Sequence, residues 1–362
     1  MSPDSNRLHK LDKLFDDQTP AILVSQIANI RYLLNKPTMF DPSFGGVMLV
    51  APGVAILMVD SRYLAQTNEA DLACEIRSIS ESPWVTAAGA IKEANLKRVG
   101  FEANEISVSQ WEELKTHTTA ELRPAKNFVE RPRLIKESTE IDHLSKAAAI
   151  GDDVFSEILT IIKPGLREAD IATEIDYRMK KAGAERPSFD TIVASGPNSA
   201  FPHAGAGQRR VQAGDFIKLD FGAQYLGYHS DMTRTVVLGQ VSTDHRQAYD
   251  AVARSQQLVL DQLKPGMTGA EADAIARDFF ESIGMADRFG HNLGHGLGLQ
   301  VHEGPSLGWK SKNVLAQGMV FTVEPGLYLP GFGGVRIEDA VVMRENGVEI
   351  LTRSSKELIE IV

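Results

Sequence analysis

Cysteine is nearly absent from this sequence. Cys74 is the only one in 362 residues, so no intrachain disulfide can form, and a reducing, cytosolic home is expected. Long apolar runs are missing too. None approaches the roughly 20 residues that cross a bilayer, and Met1-Ser-Pro-Asp-Ser opens without the apolar stretch of a secretion signal. Positive charge is in short supply, with 38 Lys and Arg against 48 Asp and Glu and a formal net charge of -10. That balance argues against nucleic acid or an anionic membrane as the partner. A phosphate loop is also lacking: Gly294-His295-Gly296-Leu297-Gly298 has neither the Lys-Ser/Thr partner nor a strand-loop-helix setting.

What remains is the composition of an ordinary globular protein, 43% hydrophobic and 24% charged. The length suits two domains, because one core seldom grows past about 250–300 residues. Residues 1–130 read as a mixed α/β unit. Ala21–Ser25, Gly46–Ala51 and Ala55–Asp60 are short apolar runs that suit buried strands, and Pro52-Gly53 between the last two reads as a hairpin turn. Arg98–Glu102 is a further strand, and helical patterns fall near 5–16, 61–73 and 84–95. No chemical constellation appears there, so this unit reads as a lid, a wall or an assembly surface. Residues 124–139 carry two prolines and no periodicity, as a linker should. The second unit, 138–362, opens on a long helix capped by Ser138 or Thr139, with Ile141, Leu144, Ala148, Phe155, Ile158, Leu159 and Ile162 at helical spacing and Lys163-Pro164-Gly165 at its end.

An internal repeat then organises the second unit. Lys163-Pro-Gly-Leu-Arg-Glu-Ala-Asp, closed by Gly183, recurs at equal spacing as Lys264-Pro-Gly-Met-Thr-Gly-Ala-Glu, closed by Gly284. Gly214–Gly222 aligns without gaps on Gly318–Gly326, which superposes Asp220 on Glu324. A second acid follows in each copy, Asp231 and Glu338. Two related halves with two acids each imply a pseudo-twofold domain with its site on the axis.

Four carboxylates on apolar, strand-like runs are costly unless a cation or donors answer them. Any one acid alone could cap a turn or pair with Arg234 or Arg336; the repeat-related set, with His295 between its halves, describes a site for two divalent metals. The set is rich in oxygen and free of thiolate, which favours Mn(II), with Co(II) or Zn(II) able to substitute. Glycines flank His295, which leaves room for backbone near an ion and keeps the ring accessible. His291, His295 and His302 fall within one glycine-rich stretch. His203, after Pro202, reads by itself as a plain surface residue.

Phe201-Pro-His203, Leu219-Asp220-Phe-Gly, Ser230-Asp231-Met-Thr-Arg-Thr, Gly294-His295-Gly-Leu-Gly-Leu-Gln-Val-His302-Glu, Val323-Glu324-Pro-Gly and Val335-Arg336-Ile-Glu338-Asp together resemble the pita-bread metallopeptidases. The likeness is to the prolidase and aminopeptidase P branch and spans essentially the whole chain. It implies an α+β protein, with a creatinase-like N-terminal domain before a pseudo-twofold catalytic domain whose metal site lies on a curved antiparallel sheet. It further implies that Asp231 and Glu338 bridge two metals, that Asp220 completes one, and that His295 with Glu324 completes the other. Glu324 would also move the proton, His203 and His302 would donate to the oxyanion, His291 would lie beside the substrate, and Arg336 would orient carboxylates or engage substrate. Asn292 departs from the family's pattern without touching a ligand.

The activity implied is hydrolysis of Xaa-Pro bonds in dipeptides or short peptides; a homodimer is expected, because the N-terminal domain closes more readily over a short substrate when a second subunit packs against it. The alternative is an aminopeptidase P acting on longer chains. Methionine aminopeptidase shares the ligand layout but typically lacks an N-terminal domain of this size. Creatinase has lost the metal ligands, as would a silent, peptide-binding module of the same fold. The stretch 35–45, Asn-Lys-Pro-Thr-Met-Phe-Asp-Pro-Ser-Phe-Gly, is the loop expected to close the cleft. No long extension is expected after Ile361.

Overall fold

Pro52-Gly53 does turn the chain back on itself. Gly53 takes φ +74°, which glycine adopts without strain, and Val47–Ala51 pairs antiparallel with Val54–Val59, Met48 facing Leu57. The computed structural model that shows this describes residues 7–362. Residues 5–6 of the helix expected at 5–16, and the polar opening Met1–Ser5, lie outside the described residues.

Within the first unit, which runs to Arg133, the hairpin belongs to a six-stranded mixed sheet. The strand order is Glu75–Ser78, Val54–Val59, Val47–Ala51, Ile22–Val24, Arg98–Glu102 and Glu121–Ala125. Its two edge strands were not read from the sequence, and the reason is physical. Glu75–Ser78 buries no residue fully and shows no apolar alternation, while Glu121–Ala125 contains Pro124, which an edge tolerates and a central strand does not. The helices Ile27–Leu33 and Val108–His117 were also unread, although Ser107 and Gln110 form a reciprocal cap at the second.

The expected linker 124–139 is corrected. Pro124 and Ala125 pair with Phe101 and Glu102, and Glu130–Arg133 forms a helical turn. Arg133 is buried and donates to the Asn29 Oδ1 at 2.6 Å. Those residues complete the first unit instead of linking away from it.

The second unit, Leu134–Val362, opens on the long helix Ser138–Leu159. Its cap is Glu137, in extended conformation, and not Ser138 or Thr139. The Glu137 N–H donates to Glu140 at 2.9 Å, so a carboxylate answers the first exposed donor. The repeat is visible in individual hydrogen bonds. Gly165 N donates to Val211 O at 2.9 Å and Gly266 N to Leu315 O at 2.8 Å. Both glycines are left-handed, at φ +91° and +93°. Each copy then forms a helix, Glu168–Lys181 and Gly269–Ser282.

Each copy packs its helices on its own sheet. One sheet orders Glu360–Ile361, Met232–Leu238, Phe216–Phe221 and Ile192–Ser195. The other orders Glu303–Leu307, Gly294–Gly296, Val320–Val323, Asp339–Arg344 and Gly347–Ile350. Two apolar cores form beneath them, one around Phe155, Ile175 and Phe221 and the other around Phe280, Phe321 and Val341, the second also taking in Phe216 and Val237 from the first sheet. The copies are stitched where the Glu338 N–H donates to Thr233 O at 3.1 Å and the Thr235 hydroxyl to Arg336 O at 3.0 Å. No described helix is long and apolar enough to cross a membrane.

Candidate metal centre

The stitch between the copies places the acids. Asp220 faces Thr233 across the pairing of Phe216–Phe221 with Met232–Leu238. Asp231 stands just before the second of those strands, Glu324 just after Val320–Val323, and Glu338 between Gly333–Arg336 and Asp339–Arg344. His295 sits on the short Gly294–Gly296 strand. His203, His291 and His302 lie in loops. All nine residues singled out above line one cavity in the second unit, together with Phe189, Asp190, Ile192 and Asn292.

The tightest group is Asp231, His295 and Glu338, whose ligand atoms lie within 4.8 Å of one another. Asp231 Oδ1 and Glu338 Oε1 are buried without a hydrogen-bond partner. Burial, with Glu338 and Asp220 nearby, holds the Asp231 carboxyl well above the usual range. Burial with Glu324 and Asp220 does the same to Glu338, and burial pushes Glu324 up to about 7 against the pull of Arg336. Carboxylates so crowded resist losing their protons until a cation arrives.

The histidine decides what kind of cation. His295 Nδ1 lies 3.2 Å from the Gly296 carbonyl, which can only accept, so that nitrogen carries the proton. Burial disfavours the charged ring. Nε2 is therefore a bare lone pair, and it points at Asp231 Oδ2 and Glu324 Oε1, 3.5 Å away in each case. Once those carboxyls are ionised, three acceptors face one another and repel unless a metal ion lies between them. The donor set fits such an ion.

The whole chain then matches known proteins. It agrees with the metallopeptidase family M24 over residues 142–345 and with the Creatinase/Prolidase N-terminal domain over 7–135. This chain belongs to metallopeptidase family M24. It is 36% identical over 357 residues to the Xaa-Pro dipeptidase of Pyrococcus furiosus, covering 98% of this chain and 99% of that one. The solved Xaa-Pro dipeptidase of Bacillus anthracis superposes with a TM-score of 0.93 at 39% identity, over 98% of this chain and 99% of that one. The X-Pro aminopeptidase of Thermotoga maritima gives a TM-score of 0.88 at 33% identity, over 97% and 100%. The fold is thus a creatinase-type N-terminal domain followed by the M24 domain, and the protein is a metallopeptidase of a metal-dependent family.

As an M24 site, the cavity is also braced by residues behind its lining that the sequence did not flag. Tyr328 links two that were flagged. Its hydroxyl accepts from Arg336 Nη1 at 2.8 Å and lies 2.8 Å from His291 Nε2. His291 Nδ1 faces the Asn292 carbonyl at 2.8 Å, so Nδ1 donates and Nε2 accepts from Tyr328. Burial draws that ring down to about 3, neutral at any working pH. Thr233 donates to Glu338 Oε2 at 2.6 Å and accepts from Arg336 Nε at 3.0 Å. Thr322 donates to Glu324 Oε1 at 3.1 Å. A buried threonine on a strand carries no signal of its own in a sequence; only its place two residues before Glu324, or two after Asp231, could have marked it.

Two finer points differ from expectation. Arg336, 3% exposed, does pair with Asp220, whereas Arg234 pairs with none of the four acids but with Asp339, at 2.7 Å. The glycines beside His295 are required by backbone crowding. A Cβ on Gly294 would stand 2.1 Å from Thr322 O, and one on Gly296 1.9 Å from Gly304 O. His302 keeps an exposed edge, yet partial burial, with the His295 ring 4.2 Å away between centroids, draws it down to about 4.

Proposed function

We propose that this metallopeptidase cleaves the Xaa-Pro bond of dipeptides and short peptides at a two-metal centre. Asp231, Glu338, Asp220, His295 and Glu324 would hold the two ions between them. The observation that carries the reading is the bare His295 nitrogen aimed at two carboxylates, beside two orphaned carboxylate oxygens. Oxygen-rich ligation favours Mn(II), with Co(II) or Zn(II) as substitutes. Ions bound there would supply a nucleophilic hydroxide at neutral pH and polarise the scissile carbonyl.

The chain's own groups do the rest. Glu324, held near 7 in the free site, is placed to take the proton of the attacking water and pass it to the departing imino nitrogen. His302 is neutral and offers an N–H to the oxygen where negative charge develops, as His203 does from the opposite loop. His291, locked by Tyr328 and Asn292, presents a fixed ring face beside the substrate. Arg336, spanning Asp220, Thr233 and Tyr328, orients the acids.

Similarity to Xaa-Pro dipeptidases along nearly the full chain supports the shorter substrate. The second reading, an Xaa-Pro aminopeptidase, draws on the Thermotoga relative and on one feature of the cavity. Its single cationic lining residue is Arg336, already paired with Asp220, so a dipeptide's free carboxylate finds no uncommitted cation among these lining residues. Comparing kcat/KM for an Xaa-Pro dipeptide and for the same sequence extended by several residues separates the two. A clear preference for the dipeptide supports the first reading. Equal or faster cleavage of the longer peptide turns the assignment to an aminopeptidase, and failure to cut either removes proline specificity.

A further inference from the structure

Lys218 is an anomaly in the Phe216–Phe221 strand. It is wholly buried, and it shares a strand face with Asp220, two residues on. Its neighbours Ile217 and Leu219 fill the apolar core beneath the sheet. A lysine at such a position is costly unless every donor is met. An ammonium has three donors and no acceptor. Here Nζ donates to Phe201 O at 2.7 Å, Pro202 O at 3.1 Å and Ser199 O at 3.4 Å. All three carbonyls belong to the segment that ends in His203.

That segment is held from the other copy as well. Arg336 Nη1 donates to Pro202 O at 3.2 Å. Gly334 N donates to the Ser199 hydroxyl at 2.8 Å, and a Cβ on Gly334 would stand 2.2 Å from Ser199 O. The segment has turn bonds of its own, Phe201 N to Asn198 O at 3.0 Å and Ala204 N to Phe201 O at 3.3 Å, but the His203 side chain stands open to solvent, so its place depends on where that whole turn is anchored.

The repeat gives an independent line. The gapless alignment that sets Asp220 on Glu324 sets Lys218 on Thr322. Thr322 accepts from the His295 N–H at 3.1 Å while donating to Glu324. In both copies, then, the residue two before the acid ties down the backbone of a segment bearing a site histidine. One copy does it with a hydroxyl at close range, the other with a long lysine arm.

We infer that Lys218 is a positioning residue, which sets His203 at the substrate cavity by gathering the carbonyls of residues 199, 201 and 202. This rests on the role given to His203 above. The test is a double-mutant cycle on an Xaa-Pro dipeptide with the metal-loaded full chain: wild type, Lys218→Met, His203→Ala and the double variant. Lys218→Met should keep its metal and KM and lower kcat by about 10–100-fold, part or all of what losing one oxyanion donor costs. In the His203→Ala background the same change should cost less than about twofold more, since coupled residues are non-additive. Lys218→Arg, which keeps a donor fork, should recover most of the rate. Equal losses in both backgrounds, or loss of metal from Lys218→Met, overturns the inference.

A crystal structure of Lys218→Met keeps the two readings apart. His203 unmoved in it overturns the positioning role even if His203→Ala lowers kcat. His203 displaced in it, with His203→Ala silent in turnover, upholds the positioning and removes His203 from the catalytic machinery instead. If Lys218→Met fails to fold, Lys218→Gln takes its place in the cycle and in the crystal, with the same expected outcomes.

Discussion

At the scale of single residues, the centre is a store of unmet electrostatics. Asp231 Oδ1 and Glu338 Oε1 have no partner, so Asp231→Asn should lose metal together with turnover. The loss in metal affinity should exceed about 100-fold, more than outer-shell partners typically cost. Elemental analysis of the purified variant checks it, and full metal content would refute the ligand role. Glu324 gives a pH signature in metal-free protein. Its folded value is about 7 against 4.5 for a free side chain, so the folded state keeps a proton that the unfolded state surrenders. The stabilisation is complete below about 4.5 and fades as pH rises through about 7, by on the order of 3 kcal/mol. Under excess chelator, Glu324→Gln should match the wild type in melting temperature near pH 4.5 and exceed it near pH 8. A gap that does not widen with pH would contradict the assignment.

Among the elements, the strand pair Phe216–Phe221 and Met232–Leu238 matters most, because its register sets Asp220 opposite Thr233, two residues after Asp231. Gly222 allows the two backbones to approach just beyond it; a Cβ there would stand 1.8 Å from Ser230 O. Gly222→Ala should therefore destabilise the fold by about 1–3 kcal/mol and weaken metal binding as well. Chemical denaturation and a metal titration measure the two, and a variant normal in both would show that the approach is not needed. What could be read from sequence follows the same logic. Apolar runs such as Val47–Ala51 and gapless pairs such as Gly214–Gly222 with Gly318–Gly326 announce themselves through period and repetition. Edge strands such as Glu75–Ser78 do not, since half their surface faces water. The four acids and the histidine proposed as ligands stood out because the repeat multiplied the weak signal of each acid and glycines framed His295. Lys218, Thr233 and Tyr328 did not, because each acts through a neighbour that only the fold supplies.

On the scale of the whole molecule, the centre draws each of its sides from a different copy of the repeat. Asp220 and Asp231 come from one, and His295, Glu324 and Glu338 from the other. The stitches between the copies, Glu338 to Thr233 and Thr235 to Arg336, join residues distant in the chain, whereas most of each copy's apolar core comes from that copy. This arrangement has a consequence in time. Contacts within a copy close short loops, and the contacts that align the acids must wait for both copies to dock. The ion-binding geometry is then absent from the folding transition state and present only after it. Added metal should stabilise the protein by slowing its unfolding while leaving the refolding rate nearly untouched. Stopped-flow unfolding and refolding with and without Mn(II) would show this, and a metal that accelerates refolding in proportion would mean that the centre assembles early and guides the copies together.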